Sequence, residues 1–250
     1  YVKNVFQQAG YKTGLIGTIA NYIGDTEVKT MLTTPQSNEI NSLLSQMINE
    51  GCTHCVMEVS SHAVEQKRVA HVTFVGGIFL NLSQDHLDYH KDMEEYFQAK
   101  KKFFKMLPRR AFALTNADDK NGLRMLEGIN AVPFTYGFNG DSEKVLFHGE
   151  IKKMDFAGLR LSFNGIKVES KLLGKFNAYN LLAVWSACSL LNLDMSRVNK
   201  ILETIEPPRG RFEHFTSKSG VLVIVDYAHK PDALEKIFSA IREIVKGSGK

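Results

Sequence analysis

The sequence has no long hydrophobic run, few cysteines and no large excess of one charge. No apolar stretch reaches the roughly 18 residues that a membrane helix needs, so we expect no membrane-spanning segment. Lysine and arginine number 31 and aspartate and glutamate 27, a formal net charge of +4. So mild an excess, with both signs interspersed, gives no reason to expect a nucleic-acid partner. The sparse cysteines (Cys52, Cys55 and Cys188) are odd in number, which favours a cytoplasmic, reducing compartment.

Common cofactor motifs are missing as well. No GxGxxG follows a predicted strand, which weakens the case for a Rossmann-type oxidoreductase. No GxxxxGK[ST] phosphate loop occurs, since "LLGKF" lacks both the upstream glycine and the final Ser or Thr. Cys52-Thr-His-Cys55 has the spacing of a zinc or redox pair, but it lacks a second ligand pair and does not open a helix. We therefore expect Cys55 to pack as part of a strand.

Both ends of the sequence lie at helical patterns. "YVKNVFQQAG" carries apolar residues at helical spacing with Gly10 at the C′ position, and it has no initiator methionine. "IREIVKGSGK" stops just after a helical pattern. These ends predict an internal fragment of a longer protein.

Strand and helix patterns alternate along most of the chain. Short apolar strands at "HCVMEVS", "VTFVGGIFLN", "AFALTNA" and "AVPFTYG" are separated by helical segments. One helix, "SNEINSLLSQMINEG", is predicted to have Ser37 as its N-cap and Gly51 as its stop. The alternation predicts an α/β fold with a mostly parallel sheet flanked by helices. Between residues 142 and 172, short alternating segments with glycine turns predict a small antiparallel addition.

A second domain is expected near the end of the sequence. Two helical segments, "NAYNLLAVWSACSLLNL" and "MSRVNKILETI", lead into the Pro- and Gly-containing "EPPRGR". "GVLVIVDYAHKPDALEKIFSAIREIV" then has the pattern of a strand, a loop and a helix. We expect a central domain over residues 1–216 and the beginning of a second, Rossmann-like α/β domain over residues 217–250.

Polar clusters follow successive predicted strands: "EVSSH" (58–62), "NLSQDHLDYH" (81–90) and "TNADD" (115–119). The carboxyl ends of parallel strands form the ligand-binding edge of an α/β sheet, so these clusters predict a ligand site. Glu58 ends an apolar strand, where burying an unpaired carboxylate would be costly unless a hard cation or a buried partner compensated. His86 is a candidate metal ligand. Spacing alone singles out no lysine in Lys100–Lys102, because basic residues late in a helix complement its dipole.

A series of short motifs gives more specific information about the protein family. "TTP" (33–35), "MEVSSHA" (57–63), "NLSQDHLDYH", "YFQAK" (96–100), "NADD" (116–119), "GKFNAYN" (174–180), "GRFE" (210–213) and "VDYAHKPDALE" (225–235) occur in this order. Over nearly its whole length the sequence resembles the Mur ligases. "EVSSHA", "DHLDYH" and "DYAHKPDALE" resemble the MurE type, the ligases that add the third amino acid in peptidoglycan biosynthesis.

The resemblance implies a reaction. ATP would phosphorylate the free carboxylate of UDP-N-acetylmuramoyl-L-alanyl-D-glutamate, and the amino group of meso-diaminopimelate or L-lysine would attack the acyl phosphate to form an amide. The implied cofactor is Mg²⁺, and the implied protein is a cytoplasmic monomer. The family's phosphate loop, its uridine-binding domain and most of its C-terminal domain are not found within residues 1–250. The resemblance therefore implies that the parent protein is the enzyme and that this fragment alone is inactive.

The resemblance also assigns site residues. The lysine that CO2 carbamylates corresponds to Lys100, and the metal ligands correspond to Glu58, His86 and the carbamylated Lys100. The UDP-MurNAc-dipeptide contacts correspond to Thr33, Thr34, Ser60, Gln66 and Arg68, and the ATP contacts to Asn177, Arg211 and Asp226. Two positions depart from the family pattern, namely Phe176, where histidine is usual, and Lys230, where threonine is common.

Two alternatives remain open from the sequence. The first is another Mur-type ligase, similar to folylpolyglutamate synthase or cyanophycin synthetase. The second is a non-catalytic module that binds a nucleotide sugar and has lost the ligase reaction.

Overall fold

The computed structural model describes residues 1–83, 89–139, 145–219, 221–229 and 231–247. These residues fall into two compact units. The first unit runs from Val2 to Leu146, and the second contains Tyr1 and the chain from Phe147 onward. Each unit has buried apolar clusters of its own.

The first unit alternates strands and helices. Its elements are α1 (Val2–Gln8), β1 (Thr13–Ile16), β2 (Asn21–Ile23), β3 (Thr26–Val28), α2 (Ser37–Asn49), β4 (His54–Met57), α3 (Ser61–Glu65), β5 (Gly76–Phe79), α4 (Met93–Met106), β6 (Phe112–Asn116), α5 (Gly122–Met125) and β7 (Val132–Gly137). β1 pairs in parallel with β4, and β6 pairs in parallel with both β5 and β7. The short strands β2 and β3 extend the β1 edge in antiparallel fashion. The predicted mostly parallel α/β fold is confirmed.

Helix α4 supplies one side of the core in this unit. Its buried face includes Phe97, Phe103 and Phe104, which belong to the same apolar cluster as Phe79 of β5. Gly77 of β5 allows the close approach, because a Cβ atom at this position would lie 2.8 Å from the Phe103 ring. The residues of α4 that are rotated away from this face are the ones available for a site.

One local expectation in the first unit is wrong, and one strand was not predicted. Ser37 is the first helical residue of α2, and Gln36 occupies the cap position without a side-chain cap bond. Strand β2 was not foreseen, because its three residues give too short a pattern and it forms by pairing with Leu15. The predicted stop of α2 is confirmed by Gly51, whose φ of +76° is a conformation that favours glycine.

The second unit combines an antiparallel sheet with helices. Its elements are β8 (Phe147–Asp155), β9 (Gly158–Phe163), β10 (Ile166–Ser170), α6 (Lys175–Leu190), α7 (Met195–Thr204), β11 (Glu213–Thr216), β12 (Leu222–Val225) and α8 (Pro231–Gly247). β9 pairs antiparallel with β8 and β10, as predicted. β11 was not foreseen, and it pairs antiparallel with β12. The predicted domain boundary between residues 216 and 217 falls at the start of the loop that connects β11 to β12. This boundary stays a prediction.

In the part of the chain that the structure describes, no helix has the length and hydrophobicity required to cross a bilayer.

The start of α4 is fixed by side chains. The Asp92 carboxylate accepts a hydrogen bond from the Glu95 backbone N–H at 2.8 Å, and the Glu95 carboxylate accepts one from the Lys91 N–H at 2.7 Å. We predict that Asp92→Ala lowers the free energy of unfolding by about 1 kcal/mol, because it removes the cap acceptor. Urea unfolding monitored by circular dichroism measures the change. Asp92→Asn keeps a cap acceptor and should lose clearly less; equal losses would show that the cap bond does not stabilise the helix.

Candidate functional site

The polar clusters at the strand ends lie next to one another in the first unit. His90 of the second cluster, which is buried, has its Nε2 atom 2.9 Å from the Ser61 hydroxyl of the first. The Leu82 backbone N–H donates to the Asp119 carboxylate of the third cluster at 3.1 Å. Residues of the three clusters are therefore neighbours in the structure, and the ligand site predicted there stays a prediction.

The first cluster is joined to a hydrogen-bond network built around the buried hydroxyl of Thr34. Thr34 is 1% exposed. Its Oγ1 donates to the Glu58 carbonyl at 2.7 Å and accepts from the Ser60 N–H at 3.0 Å. The Arg68 guanidinium donates from Nη1 to the Thr34 carbonyl at 2.7 Å and from Nε to the Gln66 side-chain oxygen at 2.9 Å. Four of the residues that resemble substrate contacts thus form one connected group.

The backbone of α3 explains how Ser60 and Arg68 come together. Ser60 is the N-cap of α3, and its hydroxyl accepts from the Ala63 N–H at 3.2 Å. After α3, Lys67 adopts a φ of +57°, and the Arg68 N–H donates back to the Ala63 carbonyl at 2.8 Å. This reversal directs the Arg68 side chain toward residue 34.

Glu58 is held by a residue that the sequence analysis did not identify. Thr18, two residues after the end of β1, donates to Oε2 of Glu58 through its backbone N–H at 3.1 Å and its hydroxyl at 2.5 Å. The Thr18 hydroxyl also lies 3.1 Å from the Thr33 hydroxyl. Glu58 is exposed, so the expectation of a costly buried carboxylate is wrong. The only sequence signal for Thr18 is its position at the carboxyl end of β1.

The structure separates the three lysines of α4. Lys101 is 7% exposed, and its Nζ lies 3.4 Å from the Glu127 carboxylate. Lys102 is exposed and forms an ion pair with Glu65 at 2.7 Å. Lys100 is half-buried, with its Nζ 4.9 Å from the centre of the Tyr96 ring. Lys101 and Lys102 thus each have an ion-pair partner within the first unit.

The predicted metal ligands are only partly described. Asp85 and His86 lie outside the described residues. Within the described ranges, no group of three or more His, Cys, Asp or Glu side chains is placed to hold a metal ion. The CxxC pair contains free thiols, and Cys55 is exposed. The prediction that Cys55 forms part of a strand is confirmed, since Cys55 lies in β4 and pairs with Gly14 of β1.

In the second unit, Asn177 is buried in the first turn of α6. Its Oδ1 accepts from the Tyr1 hydroxyl at 3.0 Å and from the Asn180 amide at 3.2 Å, while its Nδ2 donates to the Leu173 carbonyl at 2.9 Å. Burial raises the pKa of the Tyr1 phenol well above its usual range, which keeps this hydroxyl a hydrogen-bond donor. Asn177 is therefore held in a defined orientation.

Arg211 and Asp226 lie in neighbouring segments of the same unit. The Asp226 carboxylate accepts hydrogen bonds from the Phe212 and Ala228 backbone N–H groups, each at 2.7 Å. The Arg211 guanidinium lies 5.3 Å from the centre of the Tyr227 ring. The Phe212 ring also packs edge-on against Phe176, next to Asn177, with 5.1 Å between ring centres. The residues that resemble ATP contacts are thus linked through Phe212.

The model of the Mur ligase middle domain matches residues 1–188 of this chain. The chain belongs to the Mur ligase family. A second model from the same family, the Mur ligase glutamate ligase domain, matches residues 210–250.

Curated Mur ligase relatives align along almost the whole chain. A UDP-N-acetylmuramoyl-L-alanyl-D-glutamate--2,6-diaminopimelate ligase from Phocaeicola vulgatus is 48% identical over 246 residues, 98% of this chain and 50% of its own length. A relative with the corresponding name from Clostridium acetobutylicum is 40% identical over 252 residues, 98% of this chain and 51% of its own length. The chain thus spans about half the length of the curated relatives it matches.

Solved structures of Mur ligases show the same fold. A UDP-N-acetylmuramoyl-L-alanyl-D-glutamate--2,6-diaminopimelate ligase superimposes with a TM-score of 0.80 at 24% identity, covering 96% of this chain and 50% of the other. MurF from Acinetobacter baumannii superimposes with a TM-score of 0.73 at 15% identity, covering 97% of this chain and 50% of the other.

The buried Thr34 hydroxyl gives a prediction about stability. Thr34→Val keeps the side-chain shape but leaves the Glu58 carbonyl and the Ser60 N–H without this partner. We expect the free energy of unfolding to fall by about 1–3 kcal/mol, the cost of leaving buried polar groups unsatisfied. Chemical denaturation measures the loss. Thr34→Ser retains the hydroxyl and should lose less; a Thr34→Val protein as stable as the parent would contradict the assigned hydrogen bonds.

Proposed function

We propose that this chain is part of a MurE-type ligase, an ATP-dependent enzyme of peptidoglycan biosynthesis. The enzyme would join 2,6-diaminopimelate to UDP-N-acetylmuramoyl-L-alanyl-D-glutamate through an acyl-phosphate intermediate. The names of the curated relatives support diaminopimelate over L-lysine as the amino acid. We place the reaction in the cytoplasm, carried out by a monomer without a membrane partner.

One observation carries the proposal. The residues that resemble UDP-MurNAc-dipeptide contacts come from separate segments of the sequence, yet Thr33, Thr34, Ser60 and Arg68 are connected by hydrogen bonds that also reach Glu58. Gln66 completes this group through Arg68. A shared substrate explains why a chain would gather these side chains at the carboxyl end of β4.

Arg68 has the chemistry to hold an anionic part of the substrate. Its Nε and Nη2 atoms donate to Gln66, and Nη1 donates to the Thr34 carbonyl. These bonds fix the guanidinium plane and leave further N–H groups on both Nη atoms. We assign to them a carboxylate or phosphate of the UDP-MurNAc-dipeptide, because the planar fork of arginine binds such groups in a bidentate manner.

Glu58 and Lys100 fit a magnesium site in their chemistry. Mg²⁺ prefers oxygen ligands, and Glu58 offers an exposed carboxylate whose Oε2 is already oriented by Thr18. Lys100 would contribute after its neutral Nζ bonds to the carbon of CO2 and loses a proton, which converts the amine into an anionic carbamate. His86 is the third proposed ligand. Bound there, Mg²⁺ would offset negative charge between the substrate carboxylate and the γ-phosphate of ATP.

We assign ATP binding to Asn177, Arg211 and Asp226. Asn177 would contact adenine, Asp226 the ribose hydroxyls and Arg211 the phosphates. Asp226 is already oriented by two backbone N–H groups, and an exposed guanidinium such as that of Arg211 suits an anion. These roles come from the family resemblance, and the geometry of the second unit supports them.

Phosphate release by the complete gene product tests the function. With ATP, Mg²⁺ and UDP-MurNAc-L-Ala-D-Glu present, we expect release only when meso-diaminopimelate is added, with L-lysine inactive. Release with L-lysine alone would reverse the amino-acid assignment. Release with a folate substrate would favour the folylpolyglutamate alternative. Nucleotide-sugar binding without release under any condition would favour the non-catalytic module.

Lys100 provides the second functional test. We expect Lys100→Ala to lower turnover by about two orders of magnitude or more, because metal stabilisation of developing charge contributes several kcal/mol. Added bicarbonate should not restore it. Lys102→Ala is the matched control, since it removes the neighbouring lysine of α4 but only a surface ion pair.

A spectroscopic signal makes the lysine test independent of turnover. With 13C-labelled bicarbonate, the parent protein and Lys102→Ala should show a carbamate carbon resonance that Lys100→Ala lacks. Turnover near the parent value in Lys100→Ala, or a carbamate signal that persists in it, would remove the proposed role of Lys100.

A further inference from the structure

A chain of hydroxyl groups connects the proposed metal ligand to a proposed substrate contact. The Thr18 hydroxyl lies 2.5 Å from Oε2 of Glu58 and 3.1 Å from the Thr33 hydroxyl. The Thr18 backbone N–H donates to the same carboxylate oxygen at 3.1 Å. Thr18 is exposed, so its role here is not explained by core packing.

The chemistry of the carboxylate fixes the direction of this chain. An ionised carboxylate can only accept hydrogen bonds, and each hydroxyl has a single hydrogen to donate. The Thr18 hydroxyl must therefore give its hydrogen to Glu58, with which it makes the shorter contact. The Thr18 oxygen can then only accept a hydrogen bond from the Thr33 hydroxyl, and this bond uses the single hydrogen of Thr33. The Thr33 oxygen is left with a lone pair that can accept a hydrogen bond from a ligand.

Gly17 leaves room for the carboxylate in this arrangement. A Cβ atom at residue 17 would lie 3.1 Å from Oε1 of Glu58, which is tighter than ordinary van der Waals contact. Glycine at this position gives the carboxylate room beside the end of β1 while Oε2 faces Thr18.

We propose that Thr18 is a positioning residue through which Glu58 makes Thr33 a hydrogen-bond acceptor for the substrate. This inference rests on the proposed function, and it specifies the chemistry of one contact. Thr33 takes an N–H or O–H of the nucleotide-sugar dipeptide, such as an amide N–H or a sugar hydroxyl. It does not take a phosphate or carboxylate oxygen, since these groups have no hydrogen to give.

A double-mutant cycle tests the chain as a unit. The affinity of the complete gene product for UDP-MurNAc-L-Ala-D-Glu is measured by calorimetry, without ATP, for the parent protein, Thr18→Val, Thr33→Val and the double variant. We expect each single variant to weaken binding about three- to tenfold, the usual effect of losing one hydrogen bond. The double variant should be no weaker than Thr33→Val, because both changes remove the same directed interaction.

Two control variants separate positioning from a general loss of structure. Thr18→Ser keeps the hydroxyl and should restore the parent affinity. Thr73→Val removes an exposed threonine of the same unit that takes no part in the chain, and it should leave the affinity unchanged. Thermal unfolding of each variant confirms that it is folded.

Ligand analogues test the acceptor role directly. Each analogue has one donor of the dipeptide or sugar replaced by a methylated group. For the parent protein, one analogue should bind about three- to tenfold more weakly than the natural ligand. For Thr33→Val, the same analogue and the natural ligand should bind with equal affinity. Equal losses for both proteins with every analogue would overturn the acceptor assignment.

The remaining outcomes separate this inference from the proposed function. The hydroxyl chain would be overturned if the fold-loss of affinity in the double variant equalled the product of the two single losses, or if Thr18→Val bound with the parent affinity. Either result would leave the substrate assignment intact. A parent protein that does not bind UDP-MurNAc-L-Ala-D-Glu at all would overturn the substrate assignment, and the inference with it.

Discussion

The candidate site depends on one buried hydroxyl. Thr34 bridges the Glu58 carbonyl and the Ser60 N–H, so it fixes the path of residues 33–34 against the segment that follows β4. Because buried backbone groups without a partner cost free energy, the two segments remain in register. In this position the Thr34 carbonyl accepts a hydrogen bond from Arg68, and the Thr33 hydroxyl lies within hydrogen-bond distance of the Thr18 hydroxyl. Without this bridge, residues 33–34 would lose two of the hydrogen bonds that hold them to the segment after β4.

The second constraint is the rotation of α4. Successive residues of a helix point about 100° apart, so three adjacent lysines must face three different environments. Lys101 is directed inward, where its ammonium group reaches Glu127, and Lys102 is directed outward to Glu65. Lys100 points in a third direction, with its Nζ beside the Tyr96 ring. The core face of α4, which includes Phe97, thus places the three lysines in three different environments.

Much of this arrangement was readable from the sequence, and the failures have physical causes. The parallel α/β pattern is recognisable because each strand and helix imposes its own period on apolar residues. β2 and β11 have only three and four residues, and they exist through pairing with other strands. The exposure of Glu58 could not be predicted from the sequence, because burial at the end of a strand depends on which other segments pack against it. The role of Thr18 could not be predicted because its partner Glu58 is 40 residues away in the chain.

The hydrogen bonds of Asn177 restrict how it can take part in ATP binding. Among its described contacts, Oδ1 accepts from both Tyr1 and Asn180, which uses the acceptor capacity of a side-chain carbonyl. Nδ2 gives one hydrogen to Leu173 and has a second hydrogen to give. If Asn177 contacts adenine as proposed, it must act as a donor to a ring nitrogen rather than as an acceptor from the exocyclic amino group. Thr33 and Asn177 therefore illustrate the same principle: the partners that orient a polar side chain also decide which half of a hydrogen bond remains for the ligand.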